Sequence, residues 1–232
     1  MRYSANLNII IKAIEKASIH LPRDFMELEN LQSNPNSADN FAKHCYAKVK
    51  KIIAEDMMKF RPDFNIFFDD GSKIINNSSA EYSVLIYAID GFDNLSRSNP
   101  NFSIAIALQH LDENGEQHSI AVAINNSFSK ELYYAEKGFG AFLNSRRIRV
   151  SKRTGSKLNV FCKDRSFLEK DSKFQTLSLG AKTLEISYLA SARAEKLFVS
   201  KEDFKAVEPF ALLVKEAGGK IEQKDNFYII GN

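Results

Sequence analysis

Asp90 and Asp93, in "YAIDGFDNLS", place two carboxylates three residues apart just past the apolar run "YSVLIYAI". At the C-terminal end of a strand that spacing can aim both groups into one crevice, and oxygen-only ligands suit Mg²⁺. The same spacing fits a solvated turn, which Gly91 and Asn94 favour. Asp69 and Asp70, in "NIFFDDGS", follow another short apolar run, so a third carboxylate could reach the same place. Backbone N–H groups of Asn94, Leu95 and Ser96 could open a short helix there and hold an anion. Acidic groups holding Mg²⁺ beside such donors would make a phosphate-ester site, where metal activates water and neutralises the transferring group.

The surrounding patterns say what must position these residues. Leu7, Ile10, Ile11, Ile14 and Ala17 fall at helical spacing, with Asn8, Lys12, Glu15 and Lys16 opposite. The stretch "NLQSNPNSADN" reads as a loop, with Asp39 or Asn40 capping the next helix. Phe41, Cys45, Val49, Ile52, Ile53, Met57 and Phe60 form the buried stripe of that helix, and Arg61-Pro62 ends it. Strand-like runs follow, "NIFF", "YSVLIYAI", "FSIAIALQHL", "HSIAVAI" and "ELYYAE", with short turns that suggest an antiparallel sheet. "SRRIRVSKR" reads as a basic strand with Arg147 and Arg149 on one face. Beyond residue 150, "LNVFC" and "FQTLSLG" read as strands, and "AKTLEISYLASARAEKL" and "VEPFALLVKEAGG" as helices. "KIEQ" and "FYII" read as closing strands. Residues 1–150 therefore form an N-terminal half with a large sheet and the DxxD motif, and 151–232 an α/β half, packed as one unit.

The bulk numbers narrow the classes. The chain has 232 residues, 44% of them hydrophobic, enough for one sizeable core. Its net charge of +3 does not predict nucleic-acid binding, although the basic segment keeps an RNA or acidic-protein contact open beside the solvated reading. Lys48, Lys50 and Lys51 read as a solvated helix face. The two cysteines, Cys45 and Cys162, form no CxxC and favour a reducing cytosol; Cys45 lies on an apolar stripe and reads as structural. No run reaches the roughly 20 apolar residues that span a bilayer. The expectation is a cytoplasmic protein with no membrane contact.

Several ordered motifs carry a family resemblance over nearly the whole chain. "SANLNIIIKAIEKA", "RDF", "ELENLQ", "RPDFNIFFDDGS", "YAIDGFDNLSRSNPNFSIAIAL", "AEKGFGAFLNSRRIRVS" and "EAGGKI" resemble the inositol monophosphatase family, and more closely its bacterial SuhB-like branch. The third-last of these matches Trp-(Ile/Val)-Ile-Asp-Pro-Leu-Asp-Gly-Thr-Thr-Asn-Phe, and the last matches Glu-Ala-Gly-Gly. The resemblance implies a layered αβαβα sandwich, α+β or α/β in class, usually a homodimer. It also implies Mg²⁺-dependent hydrolysis of inositol and sugar monophosphates.

The implied metal site uses a Glu, the two signature Asp residues, the carbonyl between them and a later Asp, with a Thr helping to orient the attacking water. In this chain Asp69 stands at the Glu, Asp90 and Asp93 are kept, and the Phe92 carbonyl is available. Leu95 replaces the Thr and has no hydroxyl to relay a proton. Ala206 replaces the later Asp, with Lys205 at the Trp before it. Tyr46 falls at an early Asp, Asn36 at the lysine of a mobile loop, and Val199 at a substrate-binding Glu. Gly180 is kept on the substrate side, followed by Ala181 and Lys182. With Asn94, Leu95 and Ser96 it makes up the implied phosphate and substrate contacts. Gly91, at the signature proline, makes the turn less rigid.

Two Mg²⁺ ions bring four positive charges and three carboxylates remain, so at most one weakly bound Mg²⁺ is expected, and no catalytic group is intact. Losses of this kind cost on the order of 10²–10⁴ in rate each. The resulting expectation is an impaired or inactive family member. The SuhB-like resemblance implies a contact role in transcription antitermination and ribosome biogenesis, through RNA polymerase or the ribosome-assembly machinery. The alternative is a weak Mg²⁺-dependent phosphatase acting on inositol 1-phosphate or a sugar phosphate. The chain stops at "IIGN", where the family continues with a terminal helix, so a normally covered surface is expected to be open.

Overall fold

The computed structural model describes residues 4–155, 157–168 and 174–232. Three helices come first: α1 (Ala5–Ser18), α2 (Leu21–Leu31) and α3 (Pro35–Phe60). Residues 1–3 of the expected first helix lie outside the described residues. Ser4 caps α1 by accepting from the Leu7 N–H. The expected loop is only a three-residue link between α2 and α3. Asn34 caps α3 by accepting from the Ser37 N–H, and Pro35 takes the first helical position, where its missing N–H costs nothing. Asp39 and Asn40 are therefore inside the helix rather than at its cap, and Asn36 is in its first turn rather than on a loop.

Among the described residues, β1 (Asn65–Phe68), β2 (Lys73–Ile74), β3 (Tyr82–Asp90), β4 (Ser103–Leu111), β5 (Gln117–Asn126), β6 (Glu131–Glu136), β7 (Gly140–Leu143) and β8 (Arg146–Arg147) form an eight-stranded sheet in the order β2-β1-β3-β4-β5-β6-β7-β8. Only β1 and β3 run parallel within it. A short helix, α4 (Phe92–Ser96), follows β3. The second sheet, β10-β9-β11-β13-β12, is built from β9 (Asn159–Cys162), β10 (Gln175–Leu177), β11 (Lys196–Ser200), β12 (Lys220–Gln223) and β13 (Phe227–Gly231). Between these strands lie α5 (Lys182–Ala190), α6 (Lys201–Val207) and α7 (Leu212–Glu216).

The layers follow from alternation. Ile66, Val84, Ile86, Ile104 and Ile106 face Ile10, Ile14, Val49 and Ile53 of the N-terminal helices in one core. The opposite face, including Ala105, Ala107, Val122 and Ile124, packs on Leu189, Phe210 and Val214 and on the inner side of the second sheet. Val160, Cys162 and Phe198 form a smaller outer cluster with Phe167 and Phe227, beside a 3-10 turn at Arg165–Phe167. The expected layered fold is thus realised.

Three expected elements differ. The basic strand is two residues long; the Ile148 N–H still donates to the Ala141 carbonyl of β7, and by Val150 the backbone has left the sheet, its N–H donating to the Ala217 carbonyl. The helix at 182 ends at Ala190, and Ala192 takes a positive φ of 61° before the chain returns as β11. The last helix, expected over 207–219, is instead a 3-10 turn at Glu208–Phe210 followed by α7, and it is preceded by α6, which the sequence reading does not foresee; Pro209 has no N–H to carry the ladder on from α6. Val207, Phe210, Ala211 and Val214 are still all buried. Glu216 of the "EAGG" segment accepts from the Gly138 and Gly140 N–H groups at 2.8 Å each, so its carboxylate is structural.

Candidate functional site

The last residues of β3 carry a register irregularity between Tyr87 and Asp90 against β4, and such bulges re-aim side chains. The Ala88 N–H turns toward Asp69, donating to its Oδ1 at 3.3 Å. Asp69 itself follows β1 beside β3, its own N–H donating to the Ile86 carbonyl at 3.0 Å. Asp69 and Asp90 therefore emerge from neighbouring parallel strands, as the two apolar runs imply.

Each of these two carboxylates already has a protein partner. The Tyr46 hydroxyl donates to Asp69 Oδ1 at 2.8 Å. Asp90 Oδ2 accepts from the Thr183 N–H at 2.6 Å and the Thr183 hydroxyl at 2.7 Å, in the first turn of α5. The Ser103 and Thr183 hydroxyls meet at 2.7 Å and extend the network into the core. Asp90 thus stabilises a helix N-terminus, whose first N–H groups lack intrahelical partners and favour negative charge. Asp93 is different: it is exposed, and among the described residues its carboxylate makes no hydrogen bond or ion pair.

Electrostatics agrees with this picture. Shielding by the surrounding protein raises Asp69 above the usual carboxylate range, Asp70 adds to the rise, and Tyr46 and Ala88 oppose it. Burial raises Asp90 as well, against the pull of Thr183 and Lys182, with the charge of Asp69 adding. Burial first, then Asp90 and Asp69, pushes the Tyr87 hydroxyl up to about 12, so it keeps its proton and donates to the Ala206 carbonyl at 3.1 Å. Lys50 does not point into solvent as its helix face suggests. It pairs with Asp70, lies 4.6 Å from the Phe68 ring centroid, and holds Asp70 well below the usual range. Lys48 lies 3.6 Å from Asp24.

The turn between the two signature aspartates is a different backbone, not only a looser one. Gly91 has φ +83°, a left-handed conformation, and a Cβ there would meet the Asn101 carbonyl oxygen at 2.8 Å and Ala181 Cβ at 3.0 Å. The amides of Asn94 and Leu95, expected to serve an anion, both donate to the Gly91 carbonyl. Asn94 stands where the signature has glycine. Its side-chain amide donates to the Asn101 and Leu179 carbonyls at 2.6 and 2.7 Å and lies against Gly180. Leu95 is fully buried in the core under α1–α3 and does not face the crevice. Ser96 is also buried, its hydroxyl on the Asp93 carbonyl at 3.2 Å. The Phe92 ring lies edge-on to Tyr46 at 6.4 Å. None of the Tyr46–Asp69, Asn94–Leu179 and Thr183–Asp90 contacts follows from local spacing, because the partners are 23 to 93 residues apart.

Mg²⁺ holds its oxygen ligands at about 2.0–2.1 Å in near-octahedral geometry, which brings ligand atoms close together. Asp69, Asp90 and Asp93 do not bring three ligand atoms within 4.8 Å of one another. On that spacing the three carboxylates do not fit a two-ion site; the protein donors occupy one oxygen of Asp69 and one of Asp90 and fix the orientation of each group. Among the described residues the group meeting that spacing is Asp112, Glu116 and His118, at the exposed β4–β5 turn. There Asp112 accepts from the Asn114 and Glu116 N–H groups, as an acidic turn residue does.

Glu185, on α5, accepts from the Leu179 N–H at 2.8 Å. Burial raises its pKa from 4.5 to about 7; Asp90 adds to the rise, while the Leu179 N–H and Lys182 oppose it. A raised carboxylate contributes its stability fully below its unfolded value and loses it as pH rises through the folded value. Stability should therefore fall between about pH 4.5 and pH 7. The shift corresponds to about 3 kcal/mol at most. Glu185→Gln is expected to be about 2 kcal/mol more stable than the parent at pH 8 and close to it at pH 5. Urea unfolding at the two pH values checks this, and an equal effect at both would remove burial as the cause.

Cys45 is buried, and burial pushes its thiol up to about 12, in keeping with a structural role. Arg146, Arg147, Arg149 and Lys152 are exposed. Among the described residues no helix is long and apolar enough to cross a membrane.

Comparison with known proteins bears on all of this. The model of the inositol monophosphatase family matches residues 3–225. An inositol-1-monophosphatase of Rhizobium meliloti (strain 1021) is 30% identical over 235 residues, which cover 94% of this chain and 85% of that protein. A Nus factor SuhB of Xylella fastidiosa is 28% identical over 229 residues, covering 93% and 80% respectively. The crystal structure of the extragenic suppressor protein suhB from Bartonella henselae matches with a TM-score of 0.78 at 25% identity, covering 99% of this chain and 94% of that one.

Proposed function

The chain belongs to the inositol monophosphatase family, and from that premise we propose that it keeps the family fold without efficient phosphatase chemistry and acts by contact. One observation carries this reading: Asp69 and Asp90 are both engaged by the protein's own donors, Tyr46 and Thr183. The left-handed Gly91 turn, the inward Leu95 and the Ala206 carbonyl capped by Tyr87 agree with it.

Inositol 1-phosphate with saturating Mg²⁺ is expected to release phosphate at the background rate, unchanged by Asp93→Ala. That variant is a safe control because Asp93 is exposed and its side chain holds no other group among the described residues. Turnover that Asp93→Ala abolishes would overturn the reading. It would establish the second one, a weak Mg²⁺-dependent phosphatase, which the unengaged Asp93 carboxylate and the 30% identical inositol-1-monophosphatase favour.

For the contact role, the relatives named Nus factor SuhB point to the transcription machinery. The exposed Arg146, Arg147, Arg149 and Lys152 suit an acidic partner surface. Purified chain is expected to retain RNA polymerase or ribosome-assembly components in a pull-down, and Arg146→Glu with Arg149→Glu to weaken that retention. A pull-down in which neither class is retained would count against the role.

A further inference from the structure

A cleft of about 640 Å³ opens at the carboxyl ends of the parallel strands β9, β10 and β11. That edge of an open α/β sheet is where ligands commonly bind, and the volume suits a small molecule. Its floor is apolar: Leu177, Leu197, Val199 and Val207. Its rim carries Lys163, Arg165 and Lys182.

The acidic groups of the rim are already engaged. Asp203 pairs with Lys182 at 2.6 Å across the mouth. Asp164 accepts from the Ser166 N–H at 2.9 Å to cap the 3-10 turn. Glu185 is held on the Leu179 N–H. Lys163 and Arg165 are exposed and, among the described residues, have no ion-pair partner. Among the described residues the cleft therefore carries two exposed cations that form no salt bridge, Lys163 adding only a weaker pull to that of Lys182 on Asp203, above an apolar floor.

The acceptors of the cleft, among them Ser178, Ser200 and Asp203, do not include the side chains of Leu177, Leu197, Val199 and Val207, so a polyol lying on these would leave hydroxyls unsatisfied at about 1–3 kcal/mol each. Val199, 7% exposed, stands where a substrate-binding carboxylate would accept such a hydroxyl. We propose that this cleft binds an amphiphilic anion: an apolar aromatic or aliphatic body that ends in a single phosphate or carboxylate head. The body lies on Leu177, Leu197 and Val199, and the head meets Lys163 and Arg165. This rests on the reading that the chain does not turn over polyol phosphates.

Isothermal titration calorimetry of the full chain in EDTA tests it, with phenyl phosphate, benzoate and inositol 1-phosphate as probes. Saturable binding of phenyl phosphate or benzoate, with inositol 1-phosphate at least about tenfold weaker, is the expected result; the tighter of the two aryl anions identifies the head group. Lys163→Ala with Arg165→Ala should weaken binding at least about tenfold, since hydrogen bonds to charged groups contribute about 1.5–3 kcal/mol. Val199→Glu should weaken it similarly by placing a like charge on the floor. If Val199→Glu unfolds, the exposed alanine pair still carries the test. No saturable binding of either aryl anion, an equally tight inositol 1-phosphate, or an unaffected alanine pair would overturn the proposal. Adding Mg²⁺ separates the two readings: hydrolysis of bound phenyl phosphate would sink the non-catalytic reading alone, and absence of both binding and hydrolysis would sink this one alone.

Discussion

Asp90→Ala is expected to lower the stability of the chain by about 3 kcal/mol, to the same extent with and without Mg²⁺. The carboxylate accepts from the Thr183 N–H and hydroxyl and is also reached by the Lys182 N–H. Alanine leaves two backbone donors at the start of α5 without a partner, each at about 1–3 kcal/mol. The Thr183 hydroxyl still has Ser103. For a chain of this size the loss corresponds to a fall in melting temperature of about 6–12 °C. Asp90→Asn keeps an acceptor for Thr183 and removes a buried charge, so it should stay within about 1 kcal/mol of the parent. Thermal and urea unfolding of both variants, with Mg²⁺ and with EDTA, decide the matter. An alanine variant as stable as the parent, or one whose loss depends on Mg²⁺, would mean that Asp90 serves an ion and not the helix.

Gly91→Pro restores the residue of the family signature, and it is expected to cost more than about 4 kcal/mol. Proline fixes φ near −65°, and this position needs +83°. The ring would also bring atoms to the place where a Cβ meets the Asn101 carbonyl oxygen at 2.8 Å and Ala181 at 3.0 Å. Gly91→Ala tests the same point more gently, with the left-handed backbone alone costing about 1–2 kcal/mol. The measurement is the urea midpoint followed by circular dichroism. A proline variant of parental stability would mean that the turn is built as in the family signature, and that the engaged carboxylates are a smaller departure than the geometry implies.

The sheet is legible in the sequence because its strands are continuous apolar runs bounded by turn residues, as in "FSIAIALQHL" and "HSIAVAI". The start of α3 is also written there, in Asn34-Pro35, but the polar composition of "NLQSNPNSADN" hides it behind a loop signal. Ile148 and Val150 suggest a strand, yet that alternation cannot show that the Val150 N–H leaves the sheet for Ala217. In the candidate site, spacing finds Asp69, Asp90 and Asp93, and the resemblance aligns Leu95 and Ala206. What neither finds is which donor each acid meets. Tyr46 on Asp69, Thr183 on Asp90 and Asn94 on Leu179 are long-range pairings set by how helices and sheets dock.

Both edges of the eight-stranded sheet are two-residue strands that carry cationic side chains, Lys73 at one end and Arg146–Arg147 at the other. Short, charged edges are a common defence against strand addition, because an incoming backbone finds too few free groups and meets repulsion or bulk. This sheet is therefore a poor template for edge-to-edge polymerisation. A peptide that seeks to extend it by backbone pairing has almost nothing to grip, so recognition of a macromolecule by this half of the chain must run through side chains on its faces and loops.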